Sequence, residues 1–98
     1  MKTQYVTFDP SKYLDNDESI RVFLEDILES GDAKVIAGGL GDVARAKGMT
    51  ELAAKAGLSR ESLYRALSED GNPRLDTLMK VFGALGVKIT LAPQDAAE

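Results

Sequence analysis

Met49-Thr50-Glu51-Leu52-Ala53-Ala54-Lys55-Ala56-Gly57-Leu58-Ser59-Arg60-Glu61-Ser62-Leu63-Tyr64-Arg65-Ala66-Leu67-Ser68 is the stretch on which the fold turns. It reads as two short helices joined at Gly57, whose missing Cβ permits the positive φ of a sharp turn. Thr50 is expected to cap the first helix and Ser59 the second. Counted from Met49, positions 4, 8, 10, 15 and 18 are the apolar Leu52, Ala56, Leu58, Leu63 and Ala66. Position 5 is the small Ala53, which lets the second helix cross closely. This is the spacing of a DNA-binding helix-turn-helix.

The same spacing selects the outward residues. Ser59, Arg60, Glu61, Tyr64 and Arg65 lie off the buried stripe of Leu63 and Leu67, where they would enter a major groove. Arg60 and Arg65 can fork onto guanine O6 and N7 or bind phosphate. Glu61 can accept from cytosine N4. Ser59, Ser62 and Tyr64 can bond phosphate oxygens. Arg74, at the start of the next helix, is placed for a phosphate with help from the helix dipole. Lys55 flanks the set. A helical hairpin used only for packing is the competing reading of these residues.

Outward from this segment, Ile20, Phe23, Leu24, Ile27 and Leu28 repeat at helical spacing, predicting a helix from Glu18 to about Ser30. Asp32 can cap a second helix over Ala33–Lys47, with Ile36, Leu40, Val43 and Ala44 on its stripe. Gly38, Gly39 and Gly41 either permit a close crossing in that helix or break it. Beyond the central pair, Asn72 is expected to cap and Pro73 to open a last helix running to about Leu85. Leu75, Leu78, Met79, Phe82 and Leu85 form its apolar face. Val87-Lys88-Ile89-Thr90-Leu91 alternates as a half-buried strand, and residues 3–8 form a second candidate strand. A lone strand needs a partner for its backbone groups. The candidates are residues 3–8, a second copy across a two-fold axis, or another protein.

The 98 residues allow one domain: an arm over 1–16, a helical DNA-binding part over 17–86, and a strand with its tail over 87–98. The fold class is mainly α, with five helices. Net charge is −4, unevenly spread: residues 1–32 carry −5, residues 33–91 carry +3 and the tail −2. The positive charge thus coincides with the helical pair. Cysteine and histidine are absent, which removes a disulfide framework, a thiolate metal site, a Cys nucleophile and every Ser-His-Asp triad. Asp15, Asp17 and Glu18, and then Glu25, Asp26 and Glu29, read as helix-start and helix-face charges rather than a catalytic pair. Gly38-Gly39-Leu40-Gly41 lacks the strand that a dinucleotide fingerprint requires. No enzyme, cofactor, metal or small-molecule substrate is expected. No apolar run approaches a membrane span and no secretory leader is seen, so the expectation is a soluble cytoplasmic protein.

The chain resembles the addiction-module antidote proteins, HigA-like antitoxins with a lambda-repressor-like helix-turn-helix. Gly41-Asp42-Val43-Ala44-Arg45-Ala46-Lys47-Gly48-Met49-Thr50-Glu51-Leu52-Ala53 is similar to the family's approach to the motif. Gly57-Leu58-Ser59-Arg60-Glu61-Ser62-Leu63-Tyr64-Arg65-Ala66-Leu67-Ser68 is similar to its turn and recognition helix. Gly71-Asn72-Pro73-Arg74-Leu75-Asp76-Thr77-Leu78, Ala84-Leu85-Gly86-Val87-Lys88, Phe8-Asp9-Pro10 and Tyr13-Leu14 extend the likeness along nearly the whole chain. The resemblance implies a homodimer that binds operator DNA, represses its own operon and neutralises a RelE/ParE-like toxin. A stand-alone phage-type repressor and a protein-interaction module remain the alternatives.

Overall fold

A computed structural model describes residues 14–94 except residue 69. Five helices follow one another: α1 (Asp17–Glu29), α2 (Ala33–Lys47), α3 (Met49–Ala56), α4 (Arg60–Ala66) and α5 (Leu75–Ala84). The candidate strand over residues 3–8 lies outside the described residues.

Local chemistry sets most of the boundaries. Asn16 Oδ1 accepts from the Ser19 N–H at 2.8 Å and starts α1, with Asp17 and Glu18 in the first turn where the dipole favours them. Asp32 Oδ1 accepts from the N–H groups of Lys34 and Val35 at 2.9 and 3.4 Å and starts α2. The α2 helix runs unbroken through its glycines. A Cβ on Gly39 would lie 2.7 Å from Ile27 Cγ2, and one on Gly41 would collide with the carbonyl oxygen of Leu67. Both glycines therefore mark close approaches, to α1 and to the end of α4, and the continuous helix is the correct reading.

The core is one cluster. Leu14, Ile20, Leu24 and Ile27 meet Leu40, Val43 and Ala44 from α2, Leu52 and Ala53 from α3, Leu63 and Leu67 from around α4, and Val81 and Phe82 from α5. α3 packs against α2, α4 and α5, while α1 leans on α2. Leu40, Val43, Leu63 and Val81 are fully buried; burying such a side chain contributes roughly 1.5–3 kcal/mol.

Three expectations are corrected, and a fourth, the C-terminal strand, is not met among the described residues. Thr50 sits inside α3; Gly48 takes the cap position and no side chain bonds there. Asn72 and Pro73 lie ahead of α5, which begins at Leu75 with Arg74 as its cap and no side-chain cap bond. Of the expected apolar face of α5, Phe82 is buried and Leu78 and Leu85 pack against the core, but Leu75 and Met79 are 70% and 53% exposed, and Val81 supplies the core contact in their place. Residues 87–91 form no strand. Within the described residues no neighbouring strand offers hydrogen-bond partners, and alternation alone cannot supply them.

Candidate nucleic-acid interface

The turn between α3 and α4 forms as its sequence dictates. Gly57 adopts the left-handed conformation at φ +72°. Its N–H donates to the Ala54 carbonyl at 3.2 Å, and the Leu58 N–H to that of Ala53 at 2.9 Å, closing the end of α3. Ser59 then caps α4: its Oγ accepts from the Ser62 N–H at 3.0 Å. Leu63 is fully buried beneath α4, with Leu67 beside it, so the helix is pinned on one side only.

The opposite side of α4 faces solvent. Arg60, Glu61, Tyr64 and Arg65 are exposed, Tyr64 by 66%, and together line an open depression of about 410 Å³. A second depression of about 350 Å³ adjoins it, sharing Arg65 and adding Ser62, Asn72, Arg74 and Thr77. Arg65 thus links the helix surface to the segment leading into α5. The fold brings six of the eight expected residues onto these two adjoining surfaces. Lys55 lies exposed on α3 and lines neither. Ser59 is committed to its cap: its hydroxyl donates to Ser62 Oγ at 2.9 Å, so the Ser62 hydroxyl is the better placed of the two to donate outward.

Charge pairing separates the cations. Arg21 bridges Glu18 and Glu25 at 2.8 and 2.9 Å, Arg45 pairs with Asp42, and Arg74 Nε donates to Asp76 Oδ1 at 3.2 Å. Among the described residues, Arg60, Arg65 and Lys55 have no ion-pair partner. An unpaired guanidinium with five donors on an open surface can fork onto a base edge or a phosphate without first breaking a bond. Arg74 must share its fork with Asp76. That bond holds the Asp76 carboxyl below the usual aspartate range. Asn72, expected as a helix cap, and Thr77, given no role, were not expected at this surface. Their place beside Arg65 depends on the path of the chain between α4 and α5, which no local pattern encodes.

Among the described residues, no group of His, Cys, Asp and Glu side chains is placed to hold a metal ion, and no helix is long and apolar enough to cross a membrane. The sequence model of a family described as "probable addiction module antidote protein" matches residues 4–93. A relative from Haemophilus influenzae named "Uncharacterized protein" is 43% identical over 88 residues, covering 90% of this chain and 91% of the relative. No solved structure matches.

Proposed function

The chain belongs to the family of probable addiction module antidote proteins, and from that premise we propose that it is a DNA-binding antitoxin. It binds operator DNA as a homodimer through a helix-turn-helix made of α3 and α4, represses its own operon, and neutralises a RelE/ParE-like toxin in the cytoplasm.

The observation that carries the DNA-binding part is the exposed side of α4, where Arg60 and Arg65 flank Tyr64 without ion-pair partners among the described residues. A solvated helix face carries charge in any protein; what favours DNA is that two arginines and a largely exposed tyrosine share the outer side of a seven-residue helix set off by the Gly57 turn. In the groove, α4 offers Arg60 to a base edge, while Arg65, Ser62 and Arg74 bracket the phosphate backbone. Base contacts supply sequence choice; phosphate contacts supply register and most of the affinity.

Toxin neutralisation is supported by the family and by charge. The solvent side of α1 carries Glu18, Glu25, Asp26 and Glu29, of which Arg21 offsets only the first two. Such a face suits a basic partner by electrostatic complementarity. It lies on a different helix from the arginine surface, so both partners have a surface of their own.

The test is a pull-down with the DNA immediately upstream of the reading frame. The full chain is expected to be retained by that fragment and released by the same fragment added free, but not by an unrelated duplex. Equal retention by both duplexes would leave a packing hairpin as the better reading of α3 and α4. Arg60→Ala is expected to relax base preference at one half-site position by roughly 1–3 kcal/mol. Uniform weakening over all sequences would make Arg60 a phosphate contact instead.

A further inference from the structure

Glu61 is the one charge of the wrong sign on the outer surface of α4. It is exposed and lines the depression of about 410 Å³ with Arg60, Tyr64 and Arg65. A carboxylate there meets the same polyanion as its cationic neighbours, which lowers affinity for every duplex unless the carboxylate finds a donor. Pairing along the helix does not supply one. Glu61 precedes Arg65 by four residues, the order and spacing in which such side chains pair. Elsewhere the chain uses spacings of this kind: Arg21 bridges Glu18 and Glu25, and Arg45 pairs with Asp42. On α4, neither Glu61 nor Arg65 takes part in an ion pair among the described residues. Arg65 also lines the second depression, beside Arg74, and Glu61 does not. The carboxylate therefore stays with Arg60, its neighbour in the chain.

An ionised carboxylate only accepts hydrogen bonds. In the major groove guanine shows it two acceptors, O6 and N7, and thymine shows O4 and a methyl group. Adenine offers its N6 amino group but sets the N7 acceptor beside it. Cytosine shows the N4 amino group and no acceptor of its own. Arg60 has the complementary need. Its guanidinium only donates, and it forks onto guanine O6 and N7. Resting on the operator reading above, we propose that Glu61 is a specificity-determining residue that selects cytosine. Arg60 takes a guanine, and Glu61 accepts from N4 of a cytosine in the same or the adjoining base pair. Part of the choice comes from exclusion, because guanine or thymine at that place sets an acceptor against the carboxylate. Glu61 thus gives up affinity for DNA at large and gains discrimination at one position.

The experiment is selection from a pool of randomised duplexes by the full chain, as wild type, Glu61→Ala and Glu61→Gln. Titration of the selected duplex and its single-base variants follows at one salt concentration. The wild type should prefer cytosine at one half-site position by roughly 5- to 100-fold. Glu61→Ala should flatten that preference while keeping the guanine choice, and should bind an unrelated duplex about 1.5- to 5-fold tighter. Glu61→Gln should move the preference to adenine, whose N6 and N7 a glutamine side chain reads. A charge that merely favours the start of α4 would shift the melting temperature and leave base choice alone. If Glu61→Ala selects the wild-type consensus with the same preference at every position, the inference is overturned and the operator reading stands. A wild type that selects no consensus at all overturns the operator reading itself.

Discussion

Gly41→Ala places a methyl group where α2 passes the end of α4. The added Cβ would collide with the Leu67 carbonyl oxygen, a backbone atom that cannot swing aside. Two effects oppose each other. Alanine in place of glycine gains about 1 kcal/mol of helix propensity. Overpacking a tight core costs typically about 1–3 kcal/mol, and a backbone obstacle puts this site at the upper end. The net expectation is a destabilisation of about 1–2 kcal/mol, or a melting temperature lowered by about 4–16 °C in a domain this small. Urea unfolding is the assay, with a lower midpoint and an unchanged slope. Gly39→Ala is the internal control. Its Cβ would meet Ile27 Cγ2 and Cδ1 at 2.7 and 2.9 Å. Cγ2 is fixed to a branched Cβ that is stiff in a helix, so Ile27 must shift as a whole. A side chain still yields more readily than a backbone carbonyl, and the cost should be smaller. Because Leu67 is the C-cap of α4, Gly41→Ala should also weaken DNA binding by tilting the arginine surface. A Gly41→Ala variant that is more stable than the wild type would refute the close crossing of α2 and α4.

Two further outcomes follow from the local geometry. Ser59→Ala removes the acceptor for the Ser62 N–H and should cost about 1 kcal/mol by urea unfolding; Ser59→Asp, which keeps an acceptor, should recover most of it. Asp76 should titrate below its ordinary value of 3.8 because Arg74 donates to it, as followed by carboxyl NMR. Since the folded-state pKa is the lower one, the associated stability is present above 3.8 and is lost as pH falls through the folded value. Arg74→Ala should move the midpoint back toward the ordinary value.

Most of this architecture is legible in the sequence wherever the cause is local. The Gly57 turn, the Ser59 cap and the Asp32 cap need only neighbouring residues, and they form as read. Of the spaced apolar set, Leu52, Ala56 and Leu63 are buried, while Leu58 and Ala66 are partly buried against the core. Errors arise where the outcome depends on distant chain. Leu75 and Met79 are apolar at helical spacing, but periodicity counts apolar residues without knowing which ridge meets α3. Leu28 is 41% exposed for the same kind of reason: it lies at the edge of the α1 stripe while Ile27 takes the contact with Gly39. Asn72 and Pro73 carry strong helix-start signals, yet α5 starts later, at Leu75. The alternation over residues 87–91 marks a segment suited to a strand, but strand formation is a property of two chain segments. Of the site, the α4 residues were readable from the motif. Their junction with Arg74, Asn72 and Thr77 through Arg65 was not, because it is made by the path between α4 and α5.

The central claim is that α4 presents cations to the phosphate-lined groove of a duplex. Its most direct test is a titration of the upstream DNA fragment at several salt concentrations. With about three phosphates neutralised per protomer and two protomers bound, the logarithm of affinity should fall against the logarithm of salt with a slope near −5, by about 0.9 per phosphate. A slope near zero would contradict the account.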